Sequence, residues 1–281
     1  GKIMQEFGSG WTVIKLDAIE KYLNFYTTAL KRQHFKLCYI DAFAGSGSIK
    51  IKSGDEIRGS AIRALKYPFD KFIFFEEDRS IIEKLQSNIN ETGKDKNVEF
   101  YNADCNTFLL EIDNINWMKD NWRGVIFLDP YAMDLRWDCL NKVSATKVFD
   151  VWYLFPFMAL NRNFYRNGKI PKANKEKISL ILGIDESEWE SKIYSNSPQL
   201  SFLEDNIKQK ASIDGIKNLV INRLKQTFPT VSEKAVILRN KTKSPQFLLC
   251  FAASNPSKAA GHLSKKVADD ILSKMSDDNG L

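Results

Sequence analysis

At 281 residues, with 43% apolar and 27% charged side chains, the chain has the composition of a globular protein with a real core, and no low-complexity tract. A net charge of +6 excludes a histone-like tail and leaves a polyanionic partner open. No run approaches the roughly 18 consecutive apolar residues of a membrane span, and no signal-peptide pattern opens the chain, so a cytoplasmic protein without a membrane partner is expected.

Residues 1–36 read as an N-terminal helix region. Trp11, Ile14, Ile19, Tyr22, Leu23, Tyr26, Ala29 and Leu30 recur at three- and four-residue steps with charges between them. The period then changes. Residues 37–43 are a short apolar run feeding the glycine loop Asp41-Ala-Phe-Ala-Gly-Ser-Gly47. Further short apolar runs follow at 72–75, 98–101, 125–128 and 148–155. Helical patterns lie between most of them, such as 79–89 behind a capping Asp78. This alternation predicts a parallel sheet covered on both faces. Residues 157–212, with Pro171, Pro198 and a helical stretch near 175–182, interrupt it and read as an insertion after the fifth strand. A helix at 213–228, strands at 235–238 and 247–252, and a helix at 258–275 close the chain. The linker 239–245 suits a hairpin, which makes the last strand antiparallel. The expected fold is one Rossmann-like three-layer α/β domain over residues 1–281, with a mostly parallel seven-stranded sheet.

Four acids stand at or just after the ends of four successive predicted strands: Asp41, Glu76, Asp104 and Asp129. In an open parallel sheet these ends share one edge, where ligands bind. Gly45 and Gly47 let the backbone turn sharply and approach a ligand closely, with Phe43 and Ala44 in the same loop. The loop lacks GxGxxG spacing and a following Lys-Ser/Thr, which argues against a dinucleotide site and against a P-loop. Asp41 can pair with an ammonium and Glu76 can accept both ribose hydroxyl protons. Asp104, beside Cys105, can accept the proton of an adenine amine. Together these demands describe S-adenosylmethionine (SAM). Asp129-Pro130-Tyr131 ends the fourth strand, where a transferable methyl would point. A carboxylate and the Asp129 carbonyl can aim an amine there, Pro130 fixes the turn, and Tyr131 offers a face for a base. Cys38, Cys105, Cys139 and Cys250 form no CxxC pair and lie far from His34 and His262, so buried reduced thiols and no metal are expected.

The segments Tyr39-Ile-Asp-Ala-Phe-Ala-Gly-Ser-Gly47, Phe75-Glu-Glu-Asp78 and Leu128-Asp-Pro-Tyr-Ala-Met133 resemble the three-Cys-motif partner protein (TcmP) family. Trp137, the opening Trp-Thr-x-x-Lys15 helix and the Arg58-Gly-Ser-Ala61 turn extend the resemblance over about residues 10 to 160, and Phe251-Ala-Ala-Ser-Asn-Pro256 continues it loosely. The resemblance implies a class I SAM-dependent methyltransferase fold and, through the family's genomic neighbour, a three-Cys-motif protein as partner. The Asp-Pro-Tyr motif is similar to the Asp-Pro-Pro-Tyr of enzymes that methylate exocyclic base amines, but one proline is missing here.

Residues 161–177 carry Arg162, Arg166, Lys169, Lys172, Lys175 and Lys177 against the single acid Glu176, with Phe155, Phe157, Phe164 and Tyr165 interleaved or adjacent. A basic loop with aromatics beside an active edge suits a single-stranded nucleic acid. Arg58 and Arg63 flank a turn that can face the same crevice, and Lys15 can reach the SAM carboxylate or a substrate phosphate. The leading expectation is N-methylation of a nucleobase in RNA or DNA. A small-molecule methyltransferase and a non-catalytic SAM-binding partner of a three-Cys-motif protein stand beside it.

Overall fold

The structure is a computed structural model that describes residues 10–50, 54–93, 95–196 and 208–278. Helix α1 (Trp11–Leu30) buries Trp11, Ile19, Tyr22, Leu23 and Tyr26, the stripe its three- and four-residue spacing predicts. The chain then alternates through β1 (Lys36–Asp41), α2 (Ser60–Ala64), β2 (Lys71–Phe75), α3 (Arg79–Thr92) and β3 (Val98–Tyr101). It continues as α4 (Cys105–Leu109), β4 (Trp122–Leu128), α5 (Trp137–Ala145) and β5 (Phe149–Phe155). Asp78 caps α3 as expected, accepting from the Ser80 and Ile81 amides.

After β5 come three helices, α6 (Phe157–Asn163), α7 (Lys172–Leu182) and α8 (Glu186–Ile193), and a small hairpin of Tyr194–Asn196 with Lys208–Lys210. The sequence signalled only part of α7 and neither α6 nor α8. Then follow α9 (Ile213–Thr227), a sixth strand in two pieces (Thr230–Val231 and β6, Val236–Arg239), β7 (Pro245–Ala253) and α10 (Lys258–Asp278).

The strand order is β3-β2-β1-β4-β5-β7-β6. All pairings from β3 to β5 are parallel, and β7 is antiparallel to both β5 and β6. The expected mostly parallel seven-stranded sheet is thus present, with its sixth strand broken because Thr230–Val231 and β6 both pair with β7 out of continuous register. One face carries Tyr39, Phe72, Phe74, Phe127 and Trp152 under α1, α2 and α10. The other carries Ile40, Ile73, Ile126, Val151 and Tyr153 under α5 and α7 to α9. Every residue of β5 is buried, as a strand covered on both faces requires.

The direction of winding reverses between β1 and β4. The crevice outside the carboxyl ends of those two strands is the place where an open α/β sheet receives a ligand. Asp41 ends β1 and Asp129 follows β4.

Candidate functional site

β1 and β4 are in register with Asp41 opposite Phe127, so Asp129 lies two residues further along the same edge and on the same face. Asp41 is fully buried; Ser60 Oγ donates to it at 2.5 Å and the Phe43 amide at 3.2 Å. Burial pushes its carboxyl up to about 7, against the Ser60 and Phe43 hydrogen bonds and the nearby Lys15 ammonium, while Asp129 pushes the same way as burial.

The glycine loop is held by the strands it joins. The Ala42 amide donates to the Phe127 carbonyl at 3.2 Å and the Ala44 amide to the Phe75 carbonyl at 2.9 Å. Gly45 and Gly47 both sit in the left-handed region, at φ +64° and +84°. At Gly47 a Cβ would meet Ile62 Cγ1 at 2.8 Å, so space as well as backbone demands glycine there. Glu76, buried just beyond β2, faces this loop. Its Oε2 accepts from the Gly45 amide and from the Tyr131 hydroxyl, each at 3.3 Å, and its Oε1 accepts from the Asp78 amide at 3.1 Å.

Asp104 is exposed one loop further on and caps α4. Its Oδ1 accepts from the Asn106 amide at 2.9 Å and the Asn106 side chain at 2.8 Å. Cys105 is buried beside it, and burial raises its thiol far above the usual range. Asn106 escaped notice in the sequence. Its side chain also donates to the Asp134 carbonyl at 2.7 Å and accepts from the Arg136 amide at 3.0 Å, tying the start of α4 to the segment after Tyr131. An amide directly behind a capping Asp was its one signal.

Two expectations require correction. Lys15 was expected to reach a ligand, but it is 4% exposed and forms an ion pair with Asp129 Oδ2 at 2.9 Å. It lies on the buried stripe of α1, one turn after Trp11, and its ammonium stands 5.5 Å from that indole. It therefore neutralises the carboxylate instead of presenting a charge to solvent. The second concerns the aromatics of 155–165. Phe155, Phe157 and Phe164 are buried in the core, where Phe164 packs on Trp189 and Tyr194, and only Tyr165 is exposed. The core claims Phe155 from the end of β5 and Phe157 and Phe164 from the two ends of α6.

Direct contacts thus join Lys15 to Asp129 and join Gly45, Glu76 and Tyr131, with Phe43 edge-on to Tyr131 at 6.4 Å, while Asp41 contacts Ser60 and the Phe43 amide. Tyr131 is half-exposed while its hydroxyl rests on Glu76. Pro130 is buried beneath it. Arg58, in the short hairpin of Ser48–Lys50 with Glu56–Arg58, and Arg162, Arg166 and Lys169 are all exposed and make no contact with the carboxylates. Among the described residues no His/Cys/Asp/Glu group is placed to hold a metal. No described helix is long and apolar enough to cross a membrane. All four cysteines are free and buried. Two concavities of about 390 and 480 Å³ lie elsewhere, lined respectively by Thr230 with Lys258 and by Asn24 with Tyr67. Neither is lined by any of the four acids.

No family model matches the sequence, and no curated protein matches it. Among solved structures, protein LPL1258 from Legionella pneumophila, of the family-model DUF519, is similar over 96% of this chain and 94% of its own, with a TM-score of 0.51 and 12% identity. An S-adenosylmethionine dependent methyltransferase from Mesorhizobium loti covers 85% of this chain with 99% of its own, at a TM-score of 0.38 and 12% identity. The first likeness shows a shared fold. The second is a distant likeness.

Proposed function

We propose that this chain binds SAM at the β1–β4 crevice and methylates a nucleobase amine in RNA or DNA. The observation that supports the reading is that Asp41 and Glu76 both accept from amides of one glycine loop at the reversal of the sheet, with Asp129 at the same sheet edge. Their chemistry fits SAM. Asp41 offers a buried anion for an ammonium. Glu76 offers Oε2, whose present donors are the Gly45 amide and the Tyr131 hydroxyl, each at 3.3 Å, and Oε1, which accepts from the Asp78 amide at 3.1 Å; ribose hydroxyls are proposed to bind these oxygens. Asp104, exposed with Oδ2 free of its capping bonds, suits the adenine amine. Phe43, Ala44, Gly45, Gly47 and Cys105 are assigned to the stretch between them.

When bound, SAM supplies an electrophilic methyl group on a sulfonium. The chain's part is to hold and orient the acceptor. Lys15 fixes Asp129 through Oδ2, which leaves Oδ1 and the main-chain carbonyl, presented by Pro130, for two amine N–H bonds. Asp129 can then take the proton that the methylated amine sheds. The half-exposed ring of Tyr131 can support the base. Arg58, Arg162, Arg166 and Lys169 are assigned to phosphates.

The test is incubation with methyl-labelled SAM and bulk nucleic acid from cells lacking the gene, read by mass spectrometry of nucleosides. Label in a base amine is expected, falling roughly 10²–10³-fold in Asp129→Ala. Label confined to small metabolites would replace the acceptor. SAM binding without any transfer would favour a binding-only partner of a three-Cys-motif protein.

A further inference from the structure

The turn that joins α6 to α7 is built unlike an ordinary surface loop. Phe164 is driven inward onto Trp189 and Tyr194, at centroid distances of 5.7 and 6.4 Å. The Tyr194 hydroxyl then donates to the Tyr165 carbonyl at 2.6 Å, and the Gly168 amide donates to the same carbonyl at 3.0 Å. Gly168 takes φ +70°, and the Lys169 amide donates to Asn167 Oδ1 at 3.0 Å. The backbone is therefore fixed from both sides while the Tyr165 ring, 40% exposed, points away from the core without a ring partner among the described residues.

The surroundings of that ring are cationic. Arg162, Arg166 and Lys169 are exposed and form no ion pair among the described residues. Lys210 approaches from the neighbouring hairpin, its Nζ donating to the Asn161 carbonyl at 3.0 Å. Lys210 pairs with Tyr194, whose hydroxyl holds the Tyr165 carbonyl, and burial and the Arg166 guanidinium both lower the Lys210 pKa. An anion set there would relieve the repulsion. The turn also reaches the proposed active edge. The Asn163 side chain donates to Met133 Sδ at 3.2 Å, on the segment that carries Asp129-Pro130-Tyr131, and is itself held by Asn174 at 2.7 Å.

We infer that Tyr165 is a stacking platform for a base neighbouring the target, with Arg166 and Lys210 holding the adjoining phosphate, so that the partner is a single-stranded nucleic acid. A duplex hides the faces of its bases, whereas an unpaired strand offers one to every exposed ring. This inference rests on the proposed nucleobase acceptor and adds a second contact point beyond Tyr131.

The experiment is fluorescence anisotropy of labelled single-stranded RNA and DNA oligonucleotides, and of their duplexes, over a salt series. The parent should bind the single strands more tightly than the duplexes. Tyr165→Ala should weaken single-strand binding about 5- to 150-fold, the range of one lost base stack, with an unchanged salt slope. Tyr165→Phe should bind within about twofold of the parent, because it keeps the ring. Arg166→Gln should lower the salt slope by about one unit. SAM affinity, measured in parallel, should be unchanged in all three, since neither Tyr165 nor Arg166 contacts Asp41 or Glu76. Parent-like binding by Tyr165→Ala, or tighter binding of duplex, overturns the platform and leaves the proposed reaction standing. No binding by the parent at low salt overturns the platform and the nucleic-acid acceptor together.

Discussion

Replacing Lys15 by Met probes the contact that ties the N-terminal helix to the proposed catalytic carboxylate. The Lys15 side chain is 6% exposed and that of Asp129 27%, with 2.9 Å between Nζ and Oδ2. Met keeps the stem packed beside Trp11 and removes only the charge and its hydrogen bond. Breaking a buried pair by removing one partner costs about 3–5 kcal/mol. Water can reach roughly a quarter of Asp129, so the loss should fall below that range, at about 2–3 kcal/mol. For a chain of 281 residues that corresponds to a fall in Tm of about 3–5 °C. Urea unfolding should show a lower midpoint with an unchanged m value. In Lys15→Met/Asp129→Asn, where no orphaned charge remains, about 1.5 kcal/mol or more should return. A loss under about 0.5 kcal/mol for Lys15→Met, or simple additivity in the double variant, would refute the buried pair.

Burial raises Asp41 to about 7, so the free protein holds it protonated below that pH and ionised above. SAM affinity should therefore rise as pH increases through about 7, and Asp41→Asn should remove that rise in calorimetry at a series of pH values. By linkage the same shift makes stability fall between about pH 4 and 7, because the folded state there binds the proton that the unfolded state has lost. Gly47→Ala should destabilise by more than about 1 kcal/mol in urea unfolding, because a Cβ would meet Ile62 at 2.8 Å at a φ of +84°.

The sheet was legible because its signal is local. Runs such as 72–75 and 148–155 are too short and too apolar to be surface helices, and the acids behind them mark the carboxyl edge. The break in the sixth strand was not legible, because Thr230–Val231 and Val236–Arg239 are joined only through their common partner β7. The Lys15–Asp129 pair spans 114 residues, so spacing along the chain carries no trace of it. Composition showed aromatics at 155–165 but not their direction. Phe164 and Tyr165 are neighbours with opposite fates, decided by Trp189 and Tyr194 on elements that the sequence did not signal. Glu76 and Gly45 were read correctly as belonging to one edge, while the Tyr131 hydroxyl resting on Glu76 depends on how the loop after β4 folds back.

Whether the β1–β4 crevice holds SAM through Glu76 is decided by calorimetric titration of SAM into the parent and a folded Glu76→Ala variant. A single site is expected in the parent and a loss of about 100-fold in the variant, the worth of a charged hydrogen-bond pair. No heat of binding in the parent, or equal affinity in both proteins, would contradict SAM binding through Glu76.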